Sequence, residues 1–266
     1  MNPVVRLGPA LASVLAPNPG PMTLGGTNTW VVGDPKLGPV VVVDPGPNDD
    51  GHLRRVLDVA GGRVTTALLT HRHLDHSAGA ARFAGLAGCG VRAVDPTWRV
   101  GREGLRDGTT LEAGGVELEV LSTPGHTSDS VSLLVTYGDD SAQGADLLTG
   151  DTVLGFGSTV ITHPDGDLGA YLDSLDRLLA VVADRHVARI LPGHGPVVDE
   201  PAHVLTGYRQ HRRERLAQVR AALASGARTP EEVLVLVYPD AVGTPVEGAA
   251  AQSVRAQLDH LAHRRH

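Results

Sequence analysis

Short apolar runs alternate with one-sided amphipathic stretches along this chain, and that alternation predicts most of its elements. Trp30-Val31-Val32 and Val40 to Val43 are continuous apolar runs of strand length, and Asp44-Pro45-Gly46 closes the second with turn chemistry. Leu53, Val56, Leu57 and Ala60 repeat at i, i+3, i+4 and i+7, the spacing of a helix that packs by one face. Thr66 to Thr70 reads as a buried strand. Ala80, Phe83, Ala84 and Ala87 form a second one-sided helix ended by Gly88 and Gly90, and Val91 to Val94 returns as a strand. From Thr110 the period changes, because Val116, Leu118 and Val120 alternate with Glu117 and Glu119 as in a half-exposed antiparallel strand. Val131 to Val135 and Leu147 to Thr149 add two more strands. Tyr171, Leu172, Leu175, Leu178, Leu179 and Val182 make a strongly periodic helix, and Ala188 to Leu191 is the last strand. The sum is two sheets flanked by helices, an α+β architecture.

Beyond residue 201 the pattern is helical only. A helix from about Ala202 to Ser225 carries Leu205, Tyr208, Leu216, Val219 and Leu223 on one stripe, while Arg209, Arg213 and Arg220 fall near a single line at about 100° per residue. Thr229-Pro230-Glu231-Glu232 is a helix start, with a cap, a Pro in the first turn and a Glu three residues after the cap. A third helix is expected from Gly248 to His263. These boundaries divide the chain into a main domain, residues 1–201, and a small helical domain, residues 202–266, of the size of a helix-turn-helix or winged-helix module.

Composition narrows the class. With 266 residues, 41% of them hydrophobic, the chain can bury a substantial core. A net charge of -7 argues against a uniformly basic nucleic-acid binder. The acid is unevenly spread, however: 24 of the 30 acidic residues but only 14 of the 23 basic ones precede Val204, which leaves the tail locally basic. The Arg209, Arg213 and Arg220 stripe is therefore either a contact for a polyanion or a face that pairs with the acidic main domain. The lone Cys89 excludes an internal disulfide and fits a reducing cytoplasm. No apolar stretch is long enough to span a bilayer, and Met1 to Pro21, with one Arg and a run of Pro, is a poor signal peptide. Arg in place of Lys, with abundant Ala and Gly, points to a GC-rich bacterial genome.

The chemistry concentrates at Thr70 to His76, T-H-R-H-L-D-H, where a buried strand gives way to a helix. His71 and His73 alternate at the strand end and so share a side, while the following turn brings Asp75 and His76 to a second place. Imidazole and carboxylate suit zinc, iron or manganese, and the spacing suits two ions. Three later strands each end in a Gly-bearing turn that exposes one more ligand: Thr123-Pro124-Gly125-His126, Gly150-Asp151 and Pro192-Gly193-His194-Gly195. Taken singly each is an ordinary turn residue; with the opening motif they make seven ligands. His163, His186, His203, His211, His260, His263 and His266 are read as surface or packing residues.

These residues resemble the signature of the metallo-β-lactamase superfamily. The resemblance implies an αββα sandwich in which His71, His73 and His126 hold one ion, Asp75, His76 and His194 a second, and Asp151 bridges. It also implies that Asp44, in the stretch Val42 to Gly46, supports the metal loop. Departures narrow the choice: the bridging Asp together with the Asp75-His76 pair is unlike true class B β-lactamases, His73 is unlike the carboxylate of flavodiiron proteins, and the short Asp151 to His194 spacing leaves no room for a β-CASP insert. The long arm of transfer-RNA 3′-processing members is not visible either. The stretches N-P-G-P-M-T-L-G-G-T-N-T-W at Asn18 to Trp30, P-G-H-T-S-D-S at Pro124 to Ser130, G-D-T-V-L-G-F-G-S-T at Gly150 to Thr159 and P-G-H-G-P at Pro192 to Pro196 resemble the lactamase-beta-2-like group, as does Tyr208-x-x-His211-Arg212-x-x-Arg215. That group includes an endoribonuclease, and its members carry a winged-helix-like tail.

The expectation is thus a hydrolase with two Zn2+ ions, or Mn or Fe in their place, whose metal-bridging hydroxide attacks phosphorus or an acyl carbon, with Asp75 or Asp151 relaying a proton to the leaving group. Single-stranded RNA is the leading substrate, on the group resemblance and the Arg-bearing tail, although only 3% of residues are aromatic and could stack bases. A small acyl thioester, cleaved as by a thioesterase or a glyoxalase-II-like enzyme, is the alternative. A non-catalytic metal or nucleic-acid-binding regulator is the third. Thr127 and Asp129 are candidate supports for His126, Asn28 for the site rim, and the glycines around Phe156 for an anionic substrate.

Overall fold

The computed structural model describes residues 3–138 and 144–263. Its first sheet holds β1 (Val4–Gly8), β2 (Leu11–Leu15), β3 (Asn28–Val32), β4 (Val40–Val43), β5 (Val64–Leu68) and β6 (Gly90–Arg92), hydrogen-bonded in that order. The first four are antiparallel and the last two add in parallel. The second sheet runs β7 (Thr110–Ala113), β8 (Val116–Ser122), β9 (Val131–Tyr137), β10 (Ala145–Gly150) and β11 (Val187–Pro192), antiparallel except for the parallel β10–β11 pair. Because β8 and β10 both oppose β9, the strands β8, β10 and β11 point the same way.

The faces explain the patterning. Trp30, Val41, Val43 and Leu68 of the first sheet meet Leu118, Val120, Leu133 and Leu148 of the second to form the core between the sheets. Helix α1 (Asp50–Val59) follows β4, and after β5 come the single turn α2 (Leu74–Ser77) and the helix α3 (Ala80–Ala87). The outer face of the first sheet is covered by α1 and α3, with Val40, Val42 and Ala67 packed against Leu53, Val56 and Phe83. Strand β4 is covered on both faces, which is why its four valines form an unbroken apolar run. The outer face of the second sheet packs on α4 (Leu168–Asp184), whose Leu175 and Leu178 are fully buried; each such leucine stabilises by about 1.5 to 3 kcal/mol. The result is the αββα sandwich.

The helical tail expected after the last ligand is present as α5 (Pro201–Ala224), α6 (Pro230–Val237) and α7 (Glu247–His263). Its apolar residues, Leu205, Val219, Val233 and Val254 among them, join the same cluster as α4. Thr229 and Glu232 form the reciprocal cap read from sequence. Among the described residues no strand follows β11.

Three strands escaped the sequence reading: β1, β2 and the four-residue β7. Strand β1 is mostly exposed at the sheet edge, and β2 buries Ser13 beside its apolar residues, so neither shows an alternating pattern. The prolines nearby masked them further. Among the described residues no helix is long and apolar enough to cross a membrane.

Candidate metal centre

Each ligand candidate stands just beyond the C-terminal end of a strand, and the two sheets bring those ends together. His71 and His73 follow β5, and Asp75 and His76 sit on the single turn α2. His126 follows β8, Asp151 follows β10 and His194 follows β11. Backbone bonds lock the meeting point: Val131 N–H donates to the Thr70 carbonyl at 2.9 Å, and Asn28 N–H to the Gly193 carbonyl at 2.7 Å.

All seven side chains converge. Ligand atoms of His71, His73, His126 and Asp151 lie within 4.8 Å of one another, and so do those of Asp75, His76 and His194. Asp151 also reaches the second group, with Oδ1 3.4 Å from His76 Nε2 and Oδ2 3.5 Å from His194 Nε2. Its carboxylate therefore stands between the two.

The rings are held from behind in one orientation. His126 Nδ1 faces the Val160 carbonyl at 2.6 Å and His194 Nδ1 the Gly26 carbonyl at 3.1 Å. A carbonyl only accepts, so each of those nitrogens carries the proton. His76 Nδ1 lies 2.8 Å from Asp44 Oδ2. His71 Nδ1 lies 3.1 Å from Thr70 Oγ1, whose own proton goes to Asp44 at 2.7 Å, so the hydroxyl accepts from His71. In the neutral rings all four Nε2 lone pairs then point inward.

Inward lone pairs at such distances need a cation. His76 Nε2 and His194 Nε2 are 3.2 Å apart, and His73 Nδ1 is 3.0 Å from both His71 Nε2 and His126 Nε2. Asp151 Oδ1 is buried with no hydrogen-bond partner, although such atoms are almost always satisfied. Gly193 keeps space beside them, since a Cβ there would lie 2.6 Å from Asp151 Oδ1 and 2.7 Å from His76 Cε1. The donor set and these orphaned atoms fit two divalent ions, one per group, with Asp151 shared.

Electrostatics agrees. Burial holds His71 well below the usual imidazole range and brings His126 down to about 4. Burial would lower His76 and His194 as well, but Asp151, with Asp44 and Asp75 beside His76 and Asp75 beside His194, outweighs it. His76 stands well above its ordinary value and His194 rises to about 9. Asp75, which burial would raise, is held down to about 2 by His76 and His194. The carboxylates thus draw positive charge into the second group, and a divalent ion satisfies the same field while displacing the protons.

Asp44 is the support read from sequence. Besides His76 it accepts from the Thr70 N–H at 2.8 Å and the Thr70 hydroxyl, and it is buried at 1% exposure. Asp44→Ala would strand the buried Thr70 N–H and His76 Nδ1–H without an acceptor. We expect metal affinity to fall by about 10 to 100-fold with the fold retained. Competitive chelator titration checks this; unchanged affinity would remove Asp44 from the centre.

Other expectations change. Asn28 does not reach the rim: it is buried in β3, and its Nδ2 donates to the Pro192 and Gly195 carbonyls, tying down the His194 turn. Thr127 and Asp129 bond to each other at 2.7 Å within their turn, and the Val160 carbonyl supports His126 instead. The Gly155 N–H is committed to the His194 carbonyl at 2.8 Å and so offers nothing to a substrate. His211, read as surface or packing, is half-buried and lines a cavity beside the centre. His163 pairs with Asp259 at 2.9 Å, and His266 lies outside the described residues. Arg209 of the basic stripe pairs with Asp176 at 2.7 Å, which leaves Arg213 and Arg220 as its exposed members.

That cavity, of about 360 Å³, is lined by His126 and Asp151 and, from the tail, by Tyr238, Val246 and Ala250. Arg212 and Arg215 of α5 line it too. Sequence reasoning singled out neither for the site. The signal was Arg212 itself, a charged residue in register with the buried Leu205, Tyr208, Leu216 and Val219.

A family model described as "Metallo-beta-lactamase superfamily" matches residues 22–194. The "Beta-lactamase-like protein 2 homolog" of Caenorhabditis elegans is 31% identical over 98% of this chain and 87% of its own length. An "Atrochrysone carboxyl ACP thioesterase" of Aspergillus chevalieri is 31% identical over 88% of this chain and 75% of its own. Among solved structures, a metallo-beta-lactamase family protein from Thermus thermophilus superposes with a TM-score of 0.79 at 24% identity, over 98% of this chain and 95% of that one. This last likeness speaks to the fold.

Proposed function

The chain belongs to the metallo-beta-lactamase superfamily and is a metal-dependent hydrolase, and we propose that it cleaves a small acyl thioester. The observation that carries the substrate class is the cavity. At about 360 Å³ it has the size of a small-molecule site. Its walls include Leu24, Leu154, Val160 and Val246, which suit an acyl chain, and also His126 and Asp151, beside which the scissile carbon would lie. The thioesterase relative supports the same class.

In this reading His71, His73 and His126 hold one ion, Asp75, His76 and His194 the other, and Asp151 both; zinc fits the donors, and manganese or iron share them. When bound, the ions polarise the scissile carbonyl and make hydroxide available at neutral pH. The chain's own groups do the rest. Asp151, whose two oxygens face His76 and His194, would hold the two groups at a fixed separation. Asp75, its side chain 26% exposed against 11% for Asp151, would take the proton given up by the attacking water and hand it to the departing thiolate. The tail, residues 202–266, completes the substrate cavity.

A second reading, cleavage of single-stranded RNA, draws on the exposed Arg213 and Arg220. A strand needs a long cationic groove with stacking rings, and the cavity, at about 360 Å³, has mixed apolar and polar walls. Turnover of butyryl-N-acetylcysteamine and of a short single-stranded RNA, each before and after chelation, separates the two. Thioester cleavage that falls at least about 100-fold on chelation is expected. RNA cutting without thioester turnover would sink the proposal.

A further inference from the structure

We infer that the acyl arm of the substrate carries a carboxylate, received by the buried guanidinium of Arg212; the inference rests on the thioester reading above. Arg212 is 2% exposed on α5. Its guanidinium lies over the Tyr171 ring, 5.1 Å from the centroid, and one NH2 group donates to the Thr159 carbonyl. Its Nε is buried with no partner, and among the described residues no carboxylate stands within ion-pair distance. A buried cation without a counter-ion is costly, and the Tyr171 ring and hydroxyl with one carbonyl, all neutral, answer only part of that cost. Arg189 shows the usual remedy in the same chain, a two-point pair with Asp146.

Arg212 lines the cavity that also exposes His126 and Asp151. Beside it, His211 Nδ1 is likewise buried and unpartnered. Arg215 lines the same cavity, with its guanidinium 4.7 Å from the Tyr238 centroid and one NH2 group on the Val237 carbonyl. A planar oxyanion accepted by the Arg212 fork supplies the missing charge, and a carboxylate has that shape. With the scissile carbonyl at the metal ligands, the carboxylate belongs on the far end of the acyl arm. An aliphatic acyl chain would leave the cation unanswered.

Kinetics on matched N-acetylcysteamine thioesters tests this. The glutaryl ester should exceed the pentanoyl ester in kcat/KM by at least about 10-fold in the wild type, and the ratio should fall to near one in Arg212→Gln. Equal rates, or a preference for pentanoyl, would overturn it. So would a preference that follows instead the phosphate of a phosphopantetheine thioester over the pantetheine one, because the anion would then sit on the thiol arm. Calorimetry on the zinc-loaded protein gives a readout independent of turnover: glutarate should bind at least about 10-fold tighter than pentanoate, and that margin should vanish in Arg212→Gln with two equivalents of zinc retained. If neither thioester is cleaved, the thioester reading fails while the glutarate margin still decides the Arg212 subsite. If the variant does not fold, the wild-type ratios decide it alone.

Discussion

Asp151→Ala should cost at least about 1000-fold in kcat/KM, because about 4 kcal/mol of transition-state stabilisation depends on two ions held at a fixed separation. Asp151 is the one carboxylate that reaches both groups, 3.4 Å from His76, 3.5 Å from His194 and 3.8 Å from His126. Without it the Nε2 atoms of both groups remain, so one ion can still bind. Elemental analysis should therefore show bound metal falling from two equivalents to one or fewer. The side chain belongs to no apolar cluster, so circular dichroism should be unchanged. A variant that keeps two ions and full turnover would refute the bridging role.

Gly125→Ala is expected to lower stability by about 3 to 5 kcal/mol and the melting temperature by about 10 °C. Gly125 has φ +141°, and a Cβ built there would lie 2.4 Å from Tyr171 Cα and 2.6 Å from Tyr171 N. Those are backbone atoms of α4, which cannot swing aside. The neighbouring bond from Asp167 N–H to the Gly125 carbonyl, 3.0 Å, fixes the start of that helix. Gly207→Ala is the control: it is exposed on α5 with nothing within 4 Å of the new Cβ, and it should be neutral or stabilising by up to about 1 kcal/mol. Urea denaturation of the two variants distinguishes them. A Gly125→Ala protein within about 1 kcal/mol of wild type would show that α4 and the His126 turn are not in rigid contact.

The residues of the centre were legible in the sequence for a local reason. The T-H-R-H-L-D-H loop follows an apolar run, and His126, Asp151 and His194 each sit where such a run meets a Gly-bearing turn, so a reader of one strand at a time finds them, while the family resemblance adds Asp44. Their supports divide sharply. Asp44 is a side chain and announces itself. The Val160 and Gly26 carbonyls that hold His126 and His194 are backbone atoms, which every residue has, and no sequence position marks them. Asn28 was named for its chemistry and misplaced, because which carbonyls it meets depends on how β3 approaches the end of β11.

The tail shows the same limit from the other side. Helical spacing identified α5, α6 and α7 and drew attention to Arg209, Arg213 and Arg220, the arginines that stand away from the apolar stripe. The structure turns Arg209 to Asp176 and puts Arg212 and Arg215 at the cavity instead. Periodicity reports which residues share a face but not what that face meets. By itself the sequence determined most of the strand and helix order, the seven candidate ligands and the helical tail, since these follow from local spacing and side-chain chemistry. Only the tertiary structure decided which backbone carbonyls hold the rings of His126 and His194, and that the tail lines a small cavity rather than standing apart, because both depend on contacts between segments far apart in the chain.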